Sequence, residues 1–412
     1  MDIQKLRLPN GIRLIHYSIP GNVSHCGIFI NAGSRDEKEH EHGLAHFIEH
    51  VIFKGTEKRN VYQVLNRLEN VGADLNAYTT KEETCIYATF LNQYYDRTLE
   101  LISDICFHST FPQKELDKEK DVIIDEIKSC QDTPSDQIFD DFEDLLFTGH
   151  ELGRNILGTP KNVRKFKGED IRQFIRETYH TDQIVICSVG NFDFKRFVNL
   201  GNKYFSRVPS NLRSENRKPF RNYSPKQRTE NRKIFQTHCI IGAPGYSIED
   251  DKRFILAFLN NILGGPVLNS RLSIALREKN GLTYHIESNY IPYSDTGLMS
   301  IYFGTDGDLL EKALALVMKE LDRVRNVKIG ISQLQTAKKQ LIGQVSIAQE
   351  SKQNLMLSMG KSYLMMDKYL TLQEIIRIIE SITGDQLLET ANEILAQEQL
   401  SQLIFKSSNN NL

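Results

Sequence analysis

The stretch Gly43-Leu44-Ala45-His46-Phe47-Ile48-Glu49-His50-Val51-Ile52-Phe53-Lys54-Gly55-Thr56 decides how the chain is read. His46 and His50 are four residues apart, about one helical turn, so both imidazoles fall on one face and can hold one metal ion. Glu49 lies three residues from His46 on that face, within reach of a water bound to the metal. Imidazole nitrogens suit zinc, and a catalytic zinc takes three protein ligands and leaves its fourth position to water. With 11 histidines in 412 residues, the spacing can arise by chance, and a solvated helix face could carry His, Glu and His. The flanks argue otherwise. Leu44, Ala45, Phe47, Ile48, Val51, Ile52 and Phe53 predict a buried helix, and buried polar groups need partners.

A third ligand is expected from a His, Cys or carboxylate on another element. The best candidates stand in Glu119-Lys120-Asp121-Val122-Ile123-Ile124-Asp125-Glu126, inside a helical pattern from about Gln113 to Cys130. Glu119 and Glu126 are seven apart, two turns along one helix face. On the residues alone both stay open, and two glutamates on a helix are most often simply exposed.

The chain reads as two related halves. His25-Cys26-Gly27-Ile28 recurs as His238-Cys239-Ile240-Ile241, an offset of 213, and the same offset carries the strand Thr84 to Phe90 onto Gly297 to Phe303. Each half then runs strand, two helices, strand pair, helix, which supports an internal duplication. The offset places Leu259, Ile262, Leu263 and Lys339 where the first half has His46, Glu49, His50 and Glu126, so the second half has no comparable ligand set. The expected fold class is α+β: two homologous domains, each an antiparallel-rich sheet packed with helices. Residues 1–208 form the expected metal-binding half and 234–412 the second half. The basic, Pro-bearing stretch 209–233 reads as a linker. Its Phe220 and Tyr223 are too few for a nucleic-acid stacking platform.

Composition agrees. A net charge of -2 and a pI near 6.6 show no bias toward nucleic acid or anionic membrane. No apolar run approaches the ~20 residues of a membrane span, and Met1-Asp2-Ile3-Gln4-Lys5 has neither a basic n-region nor an apolar h-region. Cys26, Cys85, Cys106, Cys130, Cys187 and Cys239 are scattered in apolar patterns without a C-x-x-C pair, as buried reduced thiols would be. A cytoplasmic location is expected.

Over nearly its whole length the chain resembles the pitrilysin family of zinc peptidases, whose H-x-x-E-H pattern is the inverse of H-E-x-x-H, and most closely its half-length branch, which includes the mitochondrial processing peptidase. The resemblance is carried by Gly43 to Thr56, by Asn76-Ala77-Tyr78-Thr79, by Gly153-Arg154-Asn155-Ile156-Leu157-Gly158-Thr159, by Glu126 lying 76 residues beyond His50, and by Arg277-Glu278-Lys279-Asn280-Gly281-Leu282-Thr283-Tyr284. It is most specific in the first 160 residues. It implies one zinc per chain held by His46, His50 and Glu126, with Glu49 as general base and Glu119 supporting a histidine ligand. It also implies Arg277 and Tyr284 as groups facing the substrate, and Asn76 and Ala77 on a strand to which a peptide substrate adds. In the family two such halves form a cup and two cups enclose a chamber. Because one chain here carries both the zinc and the Arg-Tyr motifs, a homodimer is the economical expectation, with a heterodimer the alternative. The implied activity is endopeptidase cleavage of short or unfolded peptides, either general or directed at one precursor. A non-catalytic partner subunit of the same fold would be expected to have lost these residues.

Overall fold

Strand β3 (Val23–Ile30) is apolar or small along most of its length and buried after its first residue, as a strand covered on both faces must be. In the computed structural model, which describes residues 3–408, it lies inside a six-stranded sheet with β1 (Gln4–Arg7), β2 (Arg13–Ser18), β4 (Asp74–Thr79), β5 (Thr84–Leu91) and β6 (Ile184–Gly190). The order is β1-β2-β6-β3-β5-β4, with β2 and β6 parallel and the other pairs antiparallel. Successive β3 side chains leave on opposite faces. Cys26, Ile28 and Ile30 enter a core shared with the helices Leu44–Val51, Val61–Glu69 and Tyr95–Phe107. Phe29 enters a second core closed by Met356 and Met359 of the helix Lys352–Met366. Gly360 of that helix lies flat on Phe29: a Cβ there would be 2.2 Å from the ring edge.

A second sheet contains β7 (Gln227–Arg232), β8 (Thr237–Gly245), β9 (Ile286–Pro292), β10 (Gly297–Thr305) and β11 (Ser401–Ser407), in the order β7-β11-β8-β10-β9. Helices Arg253–Gly264, Leu310–Asn326 and Gly384–Ile394 cover one face, and Pro134–Leu146 covers the other. Leaving β1 aside, the two orders correspond strand for strand. Each has one parallel pair, β2 with β6 and β7 with β11, and antiparallel pairs elsewhere. The duplication read from His25-Cys26 and His238-Cys239 is thus present as topology, and both sheets are antiparallel-rich with helices packed on them.

The chain divides into two compact units. One holds the chain up to Lys128, with Arg154–Arg217 and Ile347–Tyr369; the other holds Ser129–Gly153, Lys218–Ser346 and the chain from Leu370 on. Within the basic stretch 209–233, Arg213 and Arg217 ion-pair with Asp36, and residues 227–232 form β7. Arg232 of β7 lies over the Phe405 ring, 3.3 Å from its centroid, and pairs with Asp141. All six cysteines are free and five are buried. Among the described residues no helix is long and apolar enough to cross a membrane.

Candidate metal centre

The helix Leu44–Val51 buries Leu44, Ala45, His46, Phe47, Ile48 and Val51 and leaves Glu49 and His50 partly exposed. Its start is held by contacts the sequence does not advertise. Gly43 has φ +97 and packs on Gly158, where a Cβ would be 2.7 Å from Gly158 Cα; only glycine takes that backbone without strain. Glu37 reaches back to the helix start: its Oε2 accepts from the Gly43 N–H at 2.9 Å and its Oε1 from the Ala45 N–H at 2.8 Å. This satisfies helix N–H groups that have no partner within the helix. Arg154 donates to the Glu37 carbonyl at 2.7 Å.

Burial pushes the Glu37 carboxyl up to about 8, against the pull of the two N–H donors and Arg154. A raised acid pKa favours the folded state at low pH, and that advantage is lost as pH climbs. Relative to Glu37→Gln, the wild-type chain should therefore lose stability steadily between about pH 4.5 and pH 8 and no further above that. Thermal melts of the two proteins across that range check it; a constant difference would refute it.

Three donor atoms converge beside this helix. His46 Nε2 is 3.3 Å and His50 Nε2 3.5 Å from Glu126 Oε2, and the two imidazole centroids are 4.7 Å apart. Glu126 comes from the helix Gln113–Gln131, which buries Leu116, Ile123, Ile124 and Ile127; its Glu126 is exposed, while its Glu119 is largely covered. Among the described residues, His46, His50 and Glu126 form the only group of three or more His, Cys, Asp or Glu whose ligand atoms all lie within 4.8 Å of one another. Two imidazole nitrogens and one carboxylate oxygen are the donor set of a catalytic zinc with one position left open, so the residues fit that ion.

Glu119, one helix face with Glu126, takes a different place. Its Oε2 is 3.2 Å from His50 Nδ1 and its Oε1 is 2.7 Å from Lys54 Nζ. Glu49 is half-buried, with Oε2 3.6 Å from His46 Nδ1, and is not one of the three converging donors. Burial would raise the Glu49 carboxyl, but His46, Thr79 and the two imidazole charges outweigh it and hold it below its usual value. Burial would likewise lower His46, but Glu49 and Glu126 outweigh it and raise it.

Asn76 and Ala77 stand on β4, the edge strand of the sheet, paired with Tyr87 and Ile86 of β5. The Asn76 amide donates to Asp74 at 2.8 Å, while Ala77 points to the helix-bearing face. Arg277 and Tyr284 belong to the other compact unit. Arg277 ends a wide helical turn, Ser273–Glu278, and pairs with Glu278 at 2.8 Å. Tyr284 is 89% exposed.

A family model described as insulinase, peptidase family M16, matches residues 14–160, and one described as the M16 inactive domain matches 165–341. The chain is 31% identical over 409 residues to the uncharacterised zinc protease YmxG of Bacillus subtilis, covering 99% of each. It is 29% identical over 416 residues to the mitochondrial-processing peptidase subunit beta of Saccharomyces cerevisiae, covering 96% of this chain and 89% of that one. In fold it matches a Helicobacter pylori protease at TM-score 0.90 and 18% identity, over 98% of this chain and 99% of that one.

Proposed function

The chain belongs to the M16 peptidase family, and from that premise we propose that it is a zinc-dependent endopeptidase acting on short or unfolded peptides. The convergence of His46 Nε2, His50 Nε2 and Glu126 Oε2 with Glu49 alongside carries the reading. Bound there, zinc would supply Lewis-acid activation of water and of the scissile carbonyl. Glu49 takes a proton from the attacking water and returns it to the leaving amine. The outer edge of β4 receives an extended substrate as an added strand, with Asn76 and Ala77 in contact with its backbone. On the family resemblance, Tyr284 donates a hydrogen bond to the developing oxyanion and Arg277 holds a substrate carbonyl. Along the sequence, residues 1–208 then carry the zinc ligands and Glu49, and 234–412 carry Arg277 and Tyr284, with 209–233 between them.

The substrate must be extended to join a strand, which excludes a folded protein. One chain carries both the zinc ligands and the Arg-Tyr pair, which favours a homodimer acting in the cytoplasm; the six free cysteines suit that compartment. A second reading, cleavage of a single precursor, is favoured by the similarity to a processing peptidase subunit, which also favours a heteromeric partner.

The test is hydrolysis of a quenched fluorescent peptide library by the purified protein, with metal content measured before and after a chelator. Cleavage of many sequences that stops on chelation and returns with zinc supports the general peptidase. Zinc-loaded protein that cleaves nothing in the library defeats that reading and leaves the single-precursor one. Cleavage that survives removal of all metal would defeat both.

A further inference from the structure

Lys54 lies three residues past the metal helix, on a turn fixed at both ends. Its N–H donates to the Val51 carbonyl at 3.0 Å, and two residues on, the Thr56 hydroxyl donates to Asp104 at 2.8 Å. From this turn the side chain crosses to the helix Gln113–Gln131. Among the described residues it is the lysine or arginine that ion-pairs with any of Glu49, Glu119 and Glu126. The pair is not an ordinary surface one, which would contribute little: its side chains are 25% and 12% exposed. The two oxygens of Glu119 are divided between two partners, Oε1 on Lys54 and Oε2 on His50 Nδ1.

We propose that Lys54 is a positioning residue for the metal centre: by holding Glu119 Oε1 it aims Glu119 Oε2 at His50 Nδ1, and so presents the Nε2 lone pair of His50 to the metal. An imidazole can ligate through Nε2 only with its proton on Nδ1, and an acceptor at Nδ1 fixes both that tautomer and the ring plane. Glutamate has three side-chain torsions, and one contact to a ring nitrogen leaves the carboxylate free to rotate away. A second contact on the other oxygen removes that freedom. The direct effect of Lys54 on a dication has the opposite sign, because it is repulsive, and it acts across the whole length of a carboxylate and an imidazole. Positioning and bare charge therefore predict opposite results when Lys54 is neutralised.

The inference rests on the zinc reading of the site, and zinc affinity separates the two. Affinity is measured by competition with a fluorescent chelator for wild type, Lys54→Met, Lys54→Gln and Lys54→Arg, and for Lys54→Met in a Glu119→Gln background. Melting of each metal-free protein reports whether it folds, and Lys54→Gln takes over if Lys54→Met does not. Loss of an outer partner costs ~10–100-fold in metal affinity. Lys54→Met should weaken zinc about tenfold, at the low end of that range. Lys54→Arg should stay close to wild type, and Lys54→Met should add nothing once Glu119 is Gln. Unchanged or tighter zinc in Lys54→Met, or the same loss in the Glu119→Gln background, overturns the role of Lys54 while leaving the zinc centre intact. Wild-type protein that binds no zinc overturns both.

Discussion

Glu49→Gln should lower kcat by about 10²–10⁴-fold, the usual contribution of a positioned general base, while zinc content and KM stay near wild type. The amide keeps the size of the carboxylate and can still meet His46 Nδ1, now 3.6 Å from Glu49 Oε2. What it cannot do is accept a proton from water. Because Glu49 is not one of the three converging donors, its replacement leaves the metal ligands in place, and because it binds no substrate backbone in the proposed mechanism, KM is spared. A loss confined to kcat is the signature of an interaction made only in the transition state. Steady-state kinetics beside metal analysis decide it. A variant with normal turnover would remove Glu49 as the base, and one that lost its zinc would make Glu49 a ligand.

The second large effect is on metal rather than rate. Glu126→Gln replaces the only anionic donor of the three with a neutral amide oxygen, so zinc should fall well below one per chain after dialysis, with activity following it. Glu119→Gln alters the contacts to His50 Nδ1 and Lys54 but no ligand atom, and its cost should be the ~10–100-fold of an outer partner. The ranking is the test: Glu126→Gln must lose more zinc than Glu119→Gln. Normal zinc content in Glu126→Gln would move the third ligand elsewhere, with Glu119 the next candidate.

The site was legible in the sequence where its geometry is local. His46, Glu49 and His50 share one helix, so their spacing alone puts them on one face. The third donor is not local: the spacing of Glu119 and Glu126 left both open, and only the family resemblance favoured Glu126. The fold separates them by the nitrogen each meets, Glu126 at the Nε2 side of both imidazoles and Glu119 at Nδ1 of His50. Glu37 left no signal, because its value lies in a loop that turns it back onto the start of the helix. Lys54 stood inside the quoted motif, but nothing local says that it reaches a helix some sixty residues on (54 to 119). In the fold, the order of elements in each half was readable from its apolar runs. Strand β7 was not. Gln227-Arg228-Thr229-Glu230-Asn231-Arg232 has no apolar face and reads as linker; it is a strand because β11 offers it a backbone ladder and Phe405 a surface for Arg232. Nor does any local pattern announce that Ser129–Gly153 and Ile347–Tyr369 each leave the half in which they are written.

That last feature bears on how the protein is made. The metal donors and five strands of their sheet, β1 to β5, are encoded before Gln131, and β6 follows by Gly190. The apolar face over Phe29, Cys85, Val185 and Cys187 is closed by the late helix Lys352–Met366, through Leu355, Met356, Met359, Tyr363 and Leu364. On the ribosome that face stays bare through most of translation, until the segment ending at Tyr369 has emerged. The unit that bears the metal donors is thus begun first and finished among the last.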